Sequence, residues 1–317
     1  MTQRKTKTNE IERNANEVVL VLGMFDGVHT GHQALLKEAA RLAHAYRCKS
    51  AAYTFLAHPG VVLGRAPLML NTADEREALL RRAGMDTVYM REFTPAVAAL
   101  SPEDFVQELC AQARVRAMVV GFNYTFGHRG AGNADTLRAL GNALGFETVV
   151  LPPVLYKGVP VSSSRIRECV ECGSVEDANN MLGYPYTMQG EVVKNRHIGT
   201  GLGFPTANIL PQEGKALLMS GVYITRAYTE EGDFAAITNI GTNPTVQGKK
   251  ISIETNLFAY EGNLYGKRVR LAFHRYLRGE KKFENKEQLA AQIARDVAQA
   301  KLYWEEEHTQ NAPNLER

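Results

Sequence analysis

Residues 17–46 read EVVLVLGMFDGVHTGHQALLKEAARLAHAY, and this stretch decides the fold. EVVLVLGMF has the composition of a buried strand. HQALLKEAARLAHAY then places Leu35, Ala39, Leu42 and Tyr46 at i, i+4, i+7 and i+11, the spacing of one helix face. The strand therefore runs into a helix starting near Thr30, through a turn that contains Gly23, Phe25, Asp26, His29 and His32. A helix N-terminus directly after a strand presents unpaired N–H groups, a ready site for an anion.

Working outward, the same alternation continues. SAAYTFLA, DTVYMREF, RAMVVGF and ETVVLPPV read as strands, and DEREALLRRAG, SPEDFVQELCAQARV and NADTLRALGNALG as helices. Ser101 is the expected N-cap of the second of these helices, with Pro102 at its first position and Asp104 in its first turn. Such βαβα order predicts a parallel sheet covered on both faces, with ligands at the carboxyl ends of its strands. After Leu182–Thr187 the period changes. TMQGEVVK, FPTANIL, GVYITRAYT, FAAITNIG, SIETNLFAY and KRVRLAFHRYL are β-rich segments divided by turns such as EEGD and EGN. One long helix, NKEQLAAQIARDVAQAKLYW, follows, with Asn285 and Gln288 spaced as a capping box. The second half thus reads as an antiparallel barrel with a terminal helix.

The bulk numbers exclude several classes. At 317 residues the chain suits two cores rather than one. The net charge of +3 is too small to argue for nucleic-acid binding. The longest apolar run, Val18 to Phe25, is interrupted by Gly23 and falls far short of a membrane span. Four cysteines do not make a disulfide framework, and the polar segment MTQRKTKTNEIERNANE reads as a loose leader without the apolar core of a signal peptide, so a cytoplasmic protein is expected. Cys169 and Cys172 form a C-x-x-C inside a helical run with no second pair nearby, and no metal is assigned to them.

Three strings carry chemistry. His29 and His32 could be half of a metal site or ordinary loop residues, but the strand end, the glycines and the Phe25–Asp26 pair favour a phosphate-facing turn. SSSRIR, residues 162–167, puts three hydroxyls ahead of Arg165 and Arg167, which suits both a phosphate clamp and a Ser-capped helix start. The β-rich half has no Walker P-loop and no protein-kinase motif set; its informative string is GFPTAN, residues 203–208.

G-x-F-D-G-x-H-x-G-H, from Gly23 to His32, resembles the H-x-G-H signature of the nucleotidylyltransferase superfamily. TFLAHP (residues 54–59) and VGFNYTFGHRGAGN (residues 120–133) are similar to segments of bacterial bifunctional FAD synthetases. This resemblance implies catalytic roles for His29, His32 and Arg165. It implies substrate or nucleotide contacts for Gly23, Phe25, Asp26, Asn123, Ser162, Ser163, Ser164 and Arg167. Asn123 stands where many members carry Asp, and Ser164 where Thr is usual. GFPTAN resembles the P-T-A-N motif of riboflavin kinases, with NIGTNPT, IETNLF and LYGKRVRLAF following in family order. That resemblance implies Thr206 and Asn208 as holders of Mg²⁺ and nucleotide phosphate, Glu254 as catalytic base, and Gly199, Gly203, Pro205 and Asn239 as substrate contacts. Thr200 and Asn256 depart from the usual residues at their positions.

Together the two resemblances imply a Rossmann-like nucleotidylyltransferase parallel sheet over residues 1–184. A riboflavin kinase barrel with a long terminal helix would then occupy residues 185–317. The expected ligands are riboflavin, FMN, ATP and Mg²⁺, with no nucleic-acid or membrane partner. Two rivals are a chain with one active half and a flavin- or nucleotide-sensing regulator; the mild charge and the lack of a clustered basic face weigh against the regulator.

Overall fold

The computed structural model describes residues 17–193, 206–245 and 248–310. Gly199, Thr200, Gly203 and Pro205 lie outside the described residues. The chain divides into two compact units, Met1–Ser163 and Ser164–Arg317.

In the first unit five parallel strands, β1 (Glu17–Leu22), β2 (Lys49–Phe55), β3 (Thr87–Arg91), β4 (Arg114–Gly121) and β5 (Glu147–Leu151), lie in the order β3-β2-β1-β4-β5. β1 pairs in parallel with both β2 and β4, so the winding direction reverses between β1 and β4. The helices are α1 (Thr30–Tyr46), α2 (Ala73–Arg82), the short α3 (Pro95–Ala98), α4 (Pro102–Gln112) and α5 (Ala134–Leu144). β1 alternates cleanly between the two faces of the sheet. Val19 and Val21 pack with Leu36, Ala39 and Leu80, and Val18, Leu20 and Leu22 pack with Phe105, Leu109 and Leu137 on the other side. α1 buries Leu35, Ala39 and Leu42 of the predicted face, leaves Tyr46 half-buried, and adds Leu36 and Ala43. Caps fix the helix starts. Ser101 accepts from the Asp104 N–H at 3.0 Å, and Thr72 with Glu75 forms a full capping box on α2.

One local difference separates the sequence reading from the structure. SSSRIR does not follow β5 directly, because a two-stranded hairpin, β6 (Leu155–Tyr156) and β7 (Val159–Pro160), intervenes. Its central residues, Lys157 and Gly158, have φ of 52° and 77°, the pair of left-handed conformations that a two-residue hairpin turn needs.

The second unit begins with α6 (Ser163–Glu171), whose first residue closes the first unit, and α7 (Val175–Leu182). The strands are β8 (Tyr186–Val193), β9 (Ala207–Ile209), β10 (Gly221–Thr229), β11 (Gly232–Thr245), β12 (Gly248–Leu257) and β13 (Arg268–Arg278). They form a closed barrel in the order β10-β11-β12-β9-β8-β13, with β13 returning to pair with β10. Inside it, Thr225, Thr238 and Thr255 form a buried hydroxyl ladder with links of 2.7 and 2.9 Å, so each hydroxyl is satisfied.

α6 and α7 belong with the barrel, although the change of rhythm comes only at Leu182–Thr187. The reason is tertiary. α7 buries Val175, Ala178, Met181 and Leu182, and its Asn179 Nδ2 donates to Phe273 O of β13 at 2.8 Å while Asn179 Oδ1 accepts from the Tyr186 N–H at 2.7 Å. Cys169 lies half-buried in α6 and Cys172 is exposed just past its end, both as free thiols.

The terminal helix, α8 (Lys286–Gln310), packs Ala300 and Trp304 over Val222, Ile224 and Ile237. Its capping box is half formed. Asn285 Oδ1 accepts from the Gln288 N–H at 2.8 Å, whereas the Gln288 side chain accepts from the Glu284 N–H rather than from that of the cap residue. A fork fixes the helix to β13. Arg278 Nε and Nη2 donate to the Asp296 carboxylate, the shortest bond being 2.6 Å, and Gln292 Nε2 donates to the same carboxylate at 2.8 Å.

Asp296 is only 5% exposed and Arg278 17%, so removing one partner strands a charge away from water. Asp296→Ala is expected to destabilise the barrel unit by about 3 kcal/mol, a Tm fall of roughly 6–12 °C by calorimetry. The double replacement Arg278→Met/Asp296→Leu should recover part of that loss. An unchanged Tm in the single variant would show that the fork contributes nothing to stability.

Candidate active site

A cavity of about 1010 Å³ opens at the carboxyl ends of the first unit's strands. Leu22 and Gly23 at the end of β1, Phe55 of β2 and Gly121 of β4 all line it, which places it at the reversal point of the sheet, where open α/β sheets bind ligands.

The polar end is the turn between β1 and α1. Phe25 and Val28 have φ of 53° and 34°, with Gly27 at 81° between them. L-residues enter this region at a cost of about 1–2 kcal/mol each, so something must hold them there. The Phe25 ring is fully buried in the core beneath the turn. A Cβ at Gly23 would stand 3.1 Å from that ring, so glycine leaves room for it. Asp26 is buried and its Oδ1 accepts from the Leu70 N–H at 2.8 Å. Thr54 Oγ1 donates to Met24 O at 2.9 Å. Arg76 of α2, also fully buried, donates to Phe55 O and Leu56 O at 2.5 and 2.9 Å. Burial pushes its guanidinium down from its usual range, and the Asp26 carboxylate works against that shift.

The turn delivers the two histidines. His29 is the N-cap of α1, and its Nδ1 accepts from the His32 N–H at 3.3 Å. The rings are stacked with centroids 3.6 Å apart, and His32 meets the Phe25 ring edge-on at 5.2 Å. Burial pushes His29 down to about 4; burial and then the neighbouring His29 push His32 well below its ordinary value. Both rings are therefore neutral near pH 7. Because Nδ1 of His29 is an acceptor, its proton sits on Nε2, a donor that costs no buried charge. Both histidines line the cavity.

Ser162, Ser163 and Asn123 also line it. Ser163 Oγ donates to Asp26 O at 2.8 Å, which joins the serine string to the Gly23–His32 turn. The side chains of Phe25 and Asp26 are buried beneath the turn as its supports, and neither residue is among those that line the cavity. Ser164, Arg165 and Arg167 stand on the first turns of α6, which the second unit contains.

The remaining wall is aromatic, and only Phe55, Tyr124 and Phe126 of it fall in the segments the sequence singled out. Tyr53, Phe55, Phe93, Phe105, Tyr124 and Phe126 line the cavity as neighbouring rings, with Phe55 and Phe93 5.0 Å apart and Tyr124 and Phe126 stacked at 5.7 Å. Tyr53 and Phe55 come from β2, Phe93 from just past β3, Phe105 from α4, and Tyr124 and Phe126 from the loop after β4. Such a wall suits a large planar ring system.

In the second unit, strand register assembles a different group. Glu254 of β12 lies directly opposite Asn239 of β11 and Asn208 of β9, so the three form one row across three strands. Adjacent residues in the same ladders, Ile240, Ile253 and Ile209, are buried in the barrel. Partial burial raises the Glu254 carboxyl above its ordinary value. Thr206 stands one residue before β9 and is half-buried.

Comparison with known proteins finds one family match in each half of the chain. A family model described as FAD synthetase matches residues 11–165, and one described as riboflavin kinase matches residues 182–304. A bifunctional riboflavin kinase/FMN adenylyltransferase of Listeria monocytogenes is 31% identical over 290 residues, 90% of this chain and 92% of that one. One of Bacillus subtilis is 31% identical over 301 residues, 93% of this chain and 95% of that one. A solved structure described as a macrolide-efflux protein from Streptococcus pneumoniae is 30% identical, covers 94% of this chain and 95% of that one, and superposes with a TM-score of 0.83. That description is the other protein's own; among the described residues no helix of this chain is long and apolar enough to cross a membrane. With two relatives above 30% identity along nine-tenths of its length, this chain belongs to the bifunctional riboflavin kinase/FMN adenylyltransferase family.

Proposed function

We propose that this chain makes FAD in two steps, phosphorylating riboflavin in the barrel unit and adenylylating FMN at the cavity of the parallel sheet. The observation that carries this reading is the contrast between the sites: among the described residues no Asp or Glu lines the cavity, whereas the barrel presents a half-buried carboxylate between two asparagines.

The chemistry asks for this difference. In adenylyl transfer an FMN phosphate oxygen attacks the α-phosphorus of ATP and pyrophosphate leaves. The nucleophile is already an anion, so the site needs donors for charge building on the α-phosphate and the leaving group, not a base. The α1 N-terminus and the neutral imidazoles supply donors without adding a buried charge. Ser162, Ser163 and the arginines of SSSRIR are assigned to the triphosphate, and Asn123 to the base or ribose. In riboflavin phosphorylation the acceptor is a neutral alcohol. Its 5′-hydroxyl attacks the γ-phosphorus, Glu254 takes the proton, and ADP leaves. A raised carboxyl is a stronger base and so suits that role.

Thr206 and Asn208 offer a hydroxyl and a carbonyl oxygen, the hard donors that magnesium prefers, and Asn208 faces Glu254 in register. These residues would hold Mg²⁺, which when bound neutralises charge on the nucleotide phosphates. We place both reactions in the cytoplasm, and assign Gly199, Gly203, Pro205 and Asn239 to substrate contacts on the family resemblance.

Incubating the protein with riboflavin, ATP and Mg²⁺ and following FMN and FAD by chromatography tests the whole reading. His29→Asn keeps a side chain able to cap α1 but removes the imidazole. It should lower FMN-to-FAD conversion by about 10²–10³ and leave riboflavin phosphorylation unchanged. Equal loss of both activities would refute the separate roles.

Glu254→Gln should lower FMN formation by about 10²–10⁴ while nucleotide binding persists. In the unmutated protein only the ionised carboxylate accepts the proton. FMN formation should therefore fall as the pH drops through the raised value, above the ordinary carboxylate range. An acid limb at or below pH 4.5 would remove Glu254 from the role.

The units should also separate. Residues 164–317 alone should fold and make FMN. Residues 185–317 should do so with a lower Tm, because they lack Asn179 and the apolar face of α7. Equal melting of the two fragments would argue against α7 as part of the barrel unit.

A further inference from the structure

The cavity's charge balance leaves one group unassigned. Of the side chains lining it, four could carry positive charge: His29, His32, His128 and Arg129. The first two are neutral in the fold, and among the described residues no carboxylate lines the wall. Among the described residues, Arg129 is thus the one lysine or arginine that lines the cavity. It is exposed, and among the described residues it makes no ion pair or hydrogen bond through its side chain.

Its backbone is fixed in an unusual way. Arg129 has φ 53° and ψ 23°, between Gly127 at φ 74° and Gly130 at φ 69°. The loop is pinned at its base by Phe126 and Gly132, which exchange backbone hydrogen bonds of 3.0 and 2.9 Å. The His128 N–H donates to Leu100 O at 2.6 Å. A Cβ at Gly127 would stand 2.7 Å from Pro102 N, so the loop sits tight against the start of α4. A glycine would occupy position 129 with less strain; the arginine holds a conformation that favours glycine and keeps its guanidinium on a rigid loop at the cavity wall.

A cavity that binds nucleotides must balance several phosphate charges, and a planar guanidinium is the strongest protein donor for that purpose. We propose that Arg129 is a further phosphate-holding residue of the cavity, binding a phosphoryl group of FMN or of ATP and so distinguishing phosphorylated ligands from the bare flavin ring. The assignment rests on the adenylyl-transfer reading of this cavity.

The test uses the full chain with Arg129→Gly, which suits the left-handed backbone, and Arg129→Lys, which keeps a charge. Initial rates of FAD formation would be measured with FMN and ATP varied in turn, and with lumiflavin, a flavin ring without phosphate, as competitor. Arg129→Gly should raise one KM about 10–100-fold and leave the lumiflavin inhibition constant and riboflavin phosphorylation unchanged, and Arg129→Lys should restore part of the loss. A rise for FMN assigns the acceptor phosphate, and a rise for ATP the donor phosphates. Unchanged KM values, or a rise in both KM values together with the lumiflavin constant, would overturn the proposal. Should the unmutated chain make no FAD, the adenylyl-transfer reading fails by itself. Titration with FMN and with ATP then decides the residue: Arg129→Gly must weaken one class of sites for one of them, and identical isotherms would overturn it.

Discussion

The Phe25 ring has one place to go, and the rest of the first site follows from it. Buried beneath the turn, it stands where a side chain at Gly23 would be and carries the edge of His32. The turn accepts left-handed backbone at Phe25 and Val28 in return. Full burial of a phenylalanine contributes about 1.5–3 kcal/mol, enough to offset one such residue and part of a second. What the strain secures is direction. The chain leaves β1 already turned, so His29 arrives as the cap of α1 and its ring lies flat on that of His32.

Burial then does opposite chemical work in the two units. Both sites withdraw ionisable groups from water, and water's absence disfavours the charged form in each. For the imidazoles this means neutrality, so they can donate hydrogen bonds to an anionic ligand without competing for a proton. For Glu254 it means a carboxylate with greater proton affinity, suited to a neutral alcohol. One physical effect, acting on a base and on an acid, separates a site that stabilises charge from one that moves a proton.

Much of this was legible in the sequence, for local reasons. The turn, the start of α1 near Thr30 and the cap at Ser101 depend on neighbours within a few residues, and the βαβ order leaves little choice of topology. The Glu254 row was legible only in part: the family pattern singled out Glu254, Asn208 and Asn239, but their alignment is a matter of strand register. The remainder is tertiary. Nothing near Ser163 announces its bond to Asp26, well over a hundred positions earlier in the chain. The aromatic wall gathers residues from β2, from beyond the ends of β3 and β4 and from helix α4, with no single spacing to betray it. The motif singles out Phe25 and Asp26, but that their buried side chains support the turn is seen only in the fold. The assignment of α6 and α7 to the barrel depends on which core takes Met181 and Leu182, and amphipathic periodicity does not distinguish one core from another.

The barrel's closure also bears on how the molecule is made. Its first strand, β8, is hydrogen-bonded to its last, β13, and β13 also closes the ring onto β10. On the ribosome, all five strands of the parallel sheet have been synthesised before β8 emerges. The barrel must wait for residue 278, and until then the edges of β8 and β10 that pair with β13 have no partner. Contacts of such sequence separation form slowly, because loop-closure entropy is lost before any pairing compensates it. At the elongation rate of about 5–20 residues per second, β8 spends several seconds as an open strand. Nascent chains are therefore most exposed to edge-to-edge association while the second half is being synthesised.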